Sequence, residues 1–282
     1  MSRFIAALPM YDWPEVRTET DAQWVRLRDA LRRRGVDAPD ALTRTNMPDG
    51  SLEPAALWRD PALLFAQTCW GPMGLGLADH VQVIGQPDYS DFEGGQGEFY
   101  SSAVVMRRGA ADGDVGVGSP PPLTPPRKGE GHLASGSSPS PLRGGVRGGG
   151  SGDRAGPPIP VDLLRGKRFA FNGTDSMSGI LALTSDLEAM GEGIGIFSER
   201  IVSGGHRASI VAVAKGRADV AAIDCRSWAM AQRFEPAVKE LAVVGWTGRR
   251  KGLPYICAQG LPRETVDALL EAATEAGMLV AS

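Results

Sequence analysis

The sequence predicts an α/β protein of two lobes, each a mostly parallel sheet flanked by helices. Three observations predict it. Apolar runs of strand length alternate with segments of helical period along most of the 282 residues. Several runs end in small polar residues that open a helix, as after Phe169–Asn172 and Phe197–Ser203. The length corresponds to roughly two domains of about 150 residues, and the strand candidates are more numerous than one sheet needs.

Phe4–Leu8 reads as a short buried strand, and Asp21–Arg34 as a helix with Trp24, Val25, Leu27 and Leu31 on one face. Asp40–Arg44 is a second strand candidate, and Leu52–Arg59 a short helix before the apolar segment Ala62–Ala66. Gln67–Pro72 then lies where a strand ends, and Val81–Gly85 and Ser101–Met106 add two strands. From Asp112 to Pro160 more than half the residues are Pro, Gly or Ser. Such a segment lacks the apolar surface to offset its ordering entropy, so it reads as a disordered insertion. The alternation then resumes with Phe169–Asn172, a helix over Ile180–Met190, Phe197–Ser203, a helix over Ala208–Lys215 and Val220–Ile223. Ser227–Arg233, Leu241–Val244 and a closing helix over Glu264–Glu275 complete the series.

Composition narrows the function. A net charge of −3 leaves no basic surplus, which argues against nucleic acid as the partner. Cys69, Cys225 and Cys257 are odd in number and outside any CxxC pattern, and His80, His132 and His206 lack ligand spacing, so no metal site is indicated. No cofactor is expected, and the absence of a G-x-S-x-G elbow and of a Walker loop argues against an enzyme. The first residues show no export signal as written, and no apolar run is long enough to span a membrane.

The chemistry concentrates in loops at strand ends, where ligands of open α/β sheets collect. Asn172–Gly179 follows a strand and opens a helix, so first-turn N–H groups and the hydroxyls of Ser176 and Ser178 form an anion cradle. Its competing reading is a simple N-cap by Asp175 or Ser176. Ser203–Ser209 repeats the pattern with His206, a donor to an anion or else an exposed loop histidine. Gln67 and Thr68 sit at another such end. Asp224, ending a buried strand, either accepts from the ligand's polar end or caps the Ser227 helix. An enzyme reading casts Cys69 with His206, or Ser176, as nucleophile.

Leu8–Glu15, Gln67–Cys69, Leu164–Asn172, Asp175–Gly179, Gly205–His206, Gly216–Asp224, Val244–Thr247 and Gly252–Pro254 together resemble the phosphate/phosphonate-binding family of ABC-transporter substrate-binding proteins. The resemblance implies a type 2 periplasmic-binding-protein fold with ligand clamped between lobes by hinge motion. It implies residues 1–100 in lobe 1, 101–226 in lobe 2 with the insertion at 110–160, and 227–282 as return crossing and remainder of lobe 1. It implies that Ser176, Met177, Ser178 and Gly179 hold an anionic group, with His206, Asp224, Tyr11, Gln67, Thr68 and Tyr100 completing the site. The family's usual Thr in the turn is Met177 here, so one hydroxyl is missing. The expected function is capture of a small phosphate- or phosphonate-like anion by a monomeric periplasmic protein for a membrane permease, without catalysis. The alternatives are a cytoplasmic sensor of the same fold, or an enzyme of vitamin-precursor metabolism of the thiamine-pyrimidine type.

Overall fold

The computed structural model describes residues 3–45, 52–111 and 156–280. The chain begins with β1 (Ile5–Ala7), α1 (Arg17–Arg33), α2 (Pro54–Trp58), β2 (Leu63–Gln67), α3 (Trp70–Gly74) and β3 (Val81–Gly85). It then crosses through β4 (Phe99–Tyr100) into β5 (Ser102–Arg107) and α4 (Arg108–Ala111). After residue 156 come α5 (Val161–Leu164), β6 (Arg168–Phe171), α6 (Ala182–Ala189), β7 (Glu199–Val202), α7 (His206–Ala214), β8 (Val220–Asp224), α8 (Cys225–Phe234) and β9 (Leu241–Trp246). Finally β10 (Arg250–Lys251), β11 (Tyr255–Ala258) and α9 (Arg263–Glu275) return to the start.

Two main sheets result, with strand orders β1-β2-β11-β3 and β7-β6-β8-β5-β9. In each, one strand opposes the rest: β11 runs against β2 and β3, and β5 against β8 and β9. These are the strands that arrive from the other lobe. The two crossings pair with each other, Tyr100 opposite Arg250 and Lys251 opposite Phe99. The second sheet extends further than the expected return at 227, because β9 is still paired with β5, and the chain leaves only after Trp246.

Burial explains the strand composition. Every residue of β2 and of β8 is buried, as their continuous apolar runs require when both sheet faces are covered. Trp24, Leu27 and Leu31 of α1 pack with Leu269 of α9 and Phe65 of β2, forming the core on one face of the first sheet. Leu183 and Leu187 of α6 pack with Phe169 and Phe171 on one face of the second. The opposite core joins Ile210 and Val213 of α7 and Trp228 of α8 to Tyr11 and Cys69 from the first lobe, so it runs across the interlobe boundary.

Some expectations shift. Asp40–Arg44 forms no strand: Thr43 N–H reaches Ala6 O at 2.7 Å, but Asp40 and Arg44 are drawn into ion pairs with Arg32, Asp12 and Asp21. Strand β11 and the β4–β10 pair were not expected from the sequence. The helix expected from Ile180 starts at Ala182, because Met177–Leu181 is wound as a single π turn.

Most of the expected insertion, residues 112–155, lies outside the described residues. Its proposed ends do not. Ala110 packs against the second core, and Trp246 N–H donates to Pro157 O at 3.0 Å while Ile159 is 5% exposed. Ala110 and Ile159, at the two ends of the expected 110–160 segment, therefore belong to the folded second lobe. A chain lacking 112–159 is expected to be less stable than one lacking 112–155 by about 2–5 kcal/mol, the scale of removing one buried isoleucine. Urea unfolding of the two truncations checks this difference.

Candidate functional site

A cleft of about 540 Å³ opens between the lobes. Its second-lobe wall is made by the loops that follow β6 and β7 and by the end of β8, and its first-lobe wall by the turn after β1 and the end of β2. Of the residues expected from the sequence, Ser176, Ser178, His206 and Asp224 line it.

The Asn172–Gly179 turn is partly satisfied by itself. Ser176 is the N-cap of the π turn and its Oγ accepts from Gly179 N–H at 3.0 Å. The capping role and the cleft position thus coexist, and accepting this bond leaves the Ser176 O–H to donate outward. A Cβ at Gly179 would lie 2.7 Å from Ser176 Oγ and 3.1 Å from Asn172 Oδ1, so a larger residue would displace the capping hydroxyl. Met177 turns away from the cleft and packs into the core across the lobe boundary. The amides of α7 are more open: no side chain caps this helix, and Gly205, His206, Arg207 and Ala208 of its first turn border the cleft.

Behind this wall lies a buried polar chain. His206 Nε2 is 2.9 Å from Ser178 Oγ and 3.0 Å from Asp224 Oδ2. Asp224 Oδ1 accepts from Ser227 N–H at 2.9 Å, capping α8, and from Tyr11 O–H at 3.2 Å. Tyr11 Oη lies 3.3 Å from Tyr89 Oη, which accepts from Leu253 N–H at 3.1 Å. Asp224 is 2% exposed. Burial opposes its ionisation, but attraction and hydrogen bonding from His206, with the Ser227 bonds, hold its carboxyl below the ordinary range. Burial, then the Asp224 charge, pushes the Tyr11 phenol well up, so Tyr11 remains a donor.

These contacts do not make a nucleophile. One nitrogen of His206 faces both Ser178 and Asp224, whereas a serine–histidine–aspartate relay uses both ring nitrogens. The Cys69 thiol is pushed up by burial and points its Sγ at Asp175 O, 3.9 Å away. It is held as a thiol, the unreactive form.

The remaining expected residues sit behind or beside the cleft. Tyr11 supports Asp224, and Gln67 braces the return crossing through Nε2 to Leu253 O at 3.3 Å. Thr68 is fully buried with its N–H donating to Pro254 O at 3.1 Å. Tyr100 stacks on Tyr89, ring centres 5.5 Å apart, beside Ser178. Sequence reasoning missed Asn172, Trp13, Arg207 and Gly71. Arg207 Nη1 donates to both Glu15 oxygens at 2.9 and 3.1 Å across the lobes, its Nε donates to Glu235 at 2.8 Å, and its guanidinium stands 4.7 Å over Trp13. Gly71 meets the second lobe so closely that a Cβ would lie 1.6 Å from Asp175 O. Only Asn172 carried a local signal, its place directly after β6.

Four buried polar atoms in this region have no partner: Thr68 Oγ1, Tyr100 Oη, Asn172 Oδ1 and His206 Nδ1. Buried polar atoms are normally paired, and two of these, Asn172 Oδ1 and His206 Nδ1, belong to residues that line the cleft. Residues 154–278 match the family described as periplasmic phosphonate substrate-binding proteins of ABC transporters. Over that stretch the chain is similar to this family. Its members are substrate-binding proteins rather than enzymes, and they work in the periplasm. No curated protein sequence matches the chain.

Solved structures share the fold. PhnD1 from Prochlorococcus marinus, in complex with methylphosphonate, is 15% identical over 97% of this chain and 83% of its own, with a TM-score of 0.60. XAC2383 from Xanthomonas citri, bound to chloride, is 14% identical over 97% and 84%, with a TM-score of 0.59. A binding component of a phosphonate ABC transporter from Pseudomonas aeruginosa is 12% identical over 95% and 72%, with a TM-score of 0.55. Among the described residues, no helix is long and apolar enough to cross a membrane, and no cluster of three His, Cys, Asp or Glu could hold a metal.

Proposed function

We propose that the interlobe cleft captures the tetrahedral oxyanion of a phosphonate or phosphate and that the protein, acting as a monomer, delivers it to an ABC-transporter permease. The observation that carries this reading is the convergence of donors at one end of the cleft: the uncapped first turn of α7, the Ser176 and Ser178 hydroxyls, and His206 with its unpartnered Nδ1. The anion is held by oriented dipoles rather than a free cation, because Arg207 is already paired with Glu15 and Glu235. With Met177 directed into the core, the α7 amides take the larger share of the binding. Methylphosphonate in the structurally similar PhnD1 is consistent with such a ligand. Lobe 1 is formed by residues 1–100 and the chain after β9, and lobe 2 by the segment between, hinged at the β4–β10 pair.

Replacing Ser176→Ala together with Ser178→Ala is expected to weaken oxyanion binding by at least about 2 kcal/mol, given roughly 1.5–3 kcal/mol for each hydrogen bond to a charged group. Thermal shift against phosphate, phosphite, methylphosphonate and sulfate measures it, since a ligand that binds only the folded state raises stability with concentration. A shift that is the same in both proteins would remove the serines from the site.

A further inference from the structure

Building on the oxyanion reading, we infer that the ligand is a phosphonate or phosphate monoester carrying a neutral, apolar substituent that lies against Trp13, and not an aminoalkyl chain. The first support is size. About 540 Å³ falls within the range of roughly 300–1,000 Å³ that encloses drug-sized ligands. A tetrahedral oxyanion alone would occupy only a few water volumes of about 30 Å³ each. The second is the division of the walls. Beside the donors of α7 and the Ser176 turn, the lining includes the apolar residues Pro9, Met10, Trp13, Pro54 and Leu253, with Asp12 and Cys69. Burial of an apolar group there is favourable, whereas a polar group would lose its water without gaining a partner.

The third is charge. An ammonium group needs an unpaired carboxylate, and among the described residues both carboxylates that line the cleft have partners. Asp224 is held by His206, Ser227 N–H and Tyr11. Asp12 accepts from Arg44 at 2.8 and 3.1 Å and lies 3.4 Å from Arg17. The one arginine of the lining among the described residues, Arg207, is balanced by Glu15 and Glu235 and packs over Trp13. Apart from its donors, the described lining is thus mostly apolar and electrically balanced, with the Trp13 indole as its largest surface.

Calorimetric titration of the wild-type protein with methylphosphonate, phenylphosphonate and 2-aminoethylphosphonate tests this. Phenylphosphonate is expected to bind at least tenfold more tightly than methylphosphonate, and 2-aminoethylphosphonate no more tightly. Trp13→Ala should remove the phenyl advantage, bringing the phenylphosphonate and methylphosphonate affinities to within about twofold of each other. Met10→Glu, which adds an unpaired carboxylate, should make 2-aminoethylphosphonate the preferred ligand of the three. Methylphosphonate binding with no phenyl advantage, or with the amine already preferred by the wild type, overturns the inference and leaves the oxyanion reading standing. Failure of all three to bind overturns both.

Discussion

Gly71→Ala is expected to lower oxyanion affinity at least tenfold while leaving each lobe folded. Gly71 opens α3 in the first lobe and faces the backbone of Asp175 in the second, where a Cβ would lie 1.6 Å from the carbonyl oxygen and 2.7 Å from the carbonyl carbon. Both atoms belong to the main chain, so no rotamer change relieves the overlap. The lobes must instead separate, and separation withdraws the first-lobe wall from the cleft. Tenfold corresponds to about 1.4 kcal/mol, within the roughly 1–3 kcal/mol that overpacking typically costs. Calorimetry gives the affinity, and small-angle scattering with ligand should show a larger radius of gyration in the variant. Equal affinity and equal dimensions would show that this contact does not limit closure.

The second large effect lies at Asp224. Asp224→Ala removes the acceptor for His206, Tyr11 and the first-turn N–H of α8 together, and is expected to destabilise the fold by about 3–5 kcal/mol, the range for breaking a buried charged pair from one side. Denaturant unfolding measures the loss. The same residue sets a pH dependence. Its carboxyl is held below the ordinary range, so its contribution is fully present above the unfolded value of about 3.9 and is lost as pH falls through the lower folded value. Asp224→Asn should therefore show a shallower fall in stability below pH 4 than the wild type. An unchanged acid limb would mean that Asp224 is not the group whose protonation matters.

Local physics explains what could be read from the sequence. Continuous apolar runs at β2 and β8 announced strands covered on both faces, and the small polar residues after β6 and β7 marked the loops that border the cleft. Partner choice could not be read in the same way. Nothing near His206 says that its nitrogen meets Asp224, or that Arg207 beside it reaches Glu15 in the other lobe. Those pairings exist only once two remote loops are brought together by the sheet and by lobe contact. Ser176 shows the intermediate case, since its cap to Gly179 was foreseeable while its simultaneous place on the cleft wall depended on where α7 packs. The polar stretch Asp40–Arg44 passed for a strand because its ion-pair partners, Arg32, Asp12 and Asp21, are brought to it by the packing of α1 and the turn after β1.

The central claim is that the interlobe cleft is an oxyanion site. Titration of the wild-type protein with methylphosphonate, phosphite and phosphate, followed by calorimetry, tests it most directly. Saturable binding of at least one of them with one site per chain is expected, weakened at least about thirtyfold by Ser176→Ala with Ser178→Ala. No binding of any of the three at millimolar concentration, or binding untouched by the serine pair, would contradict it.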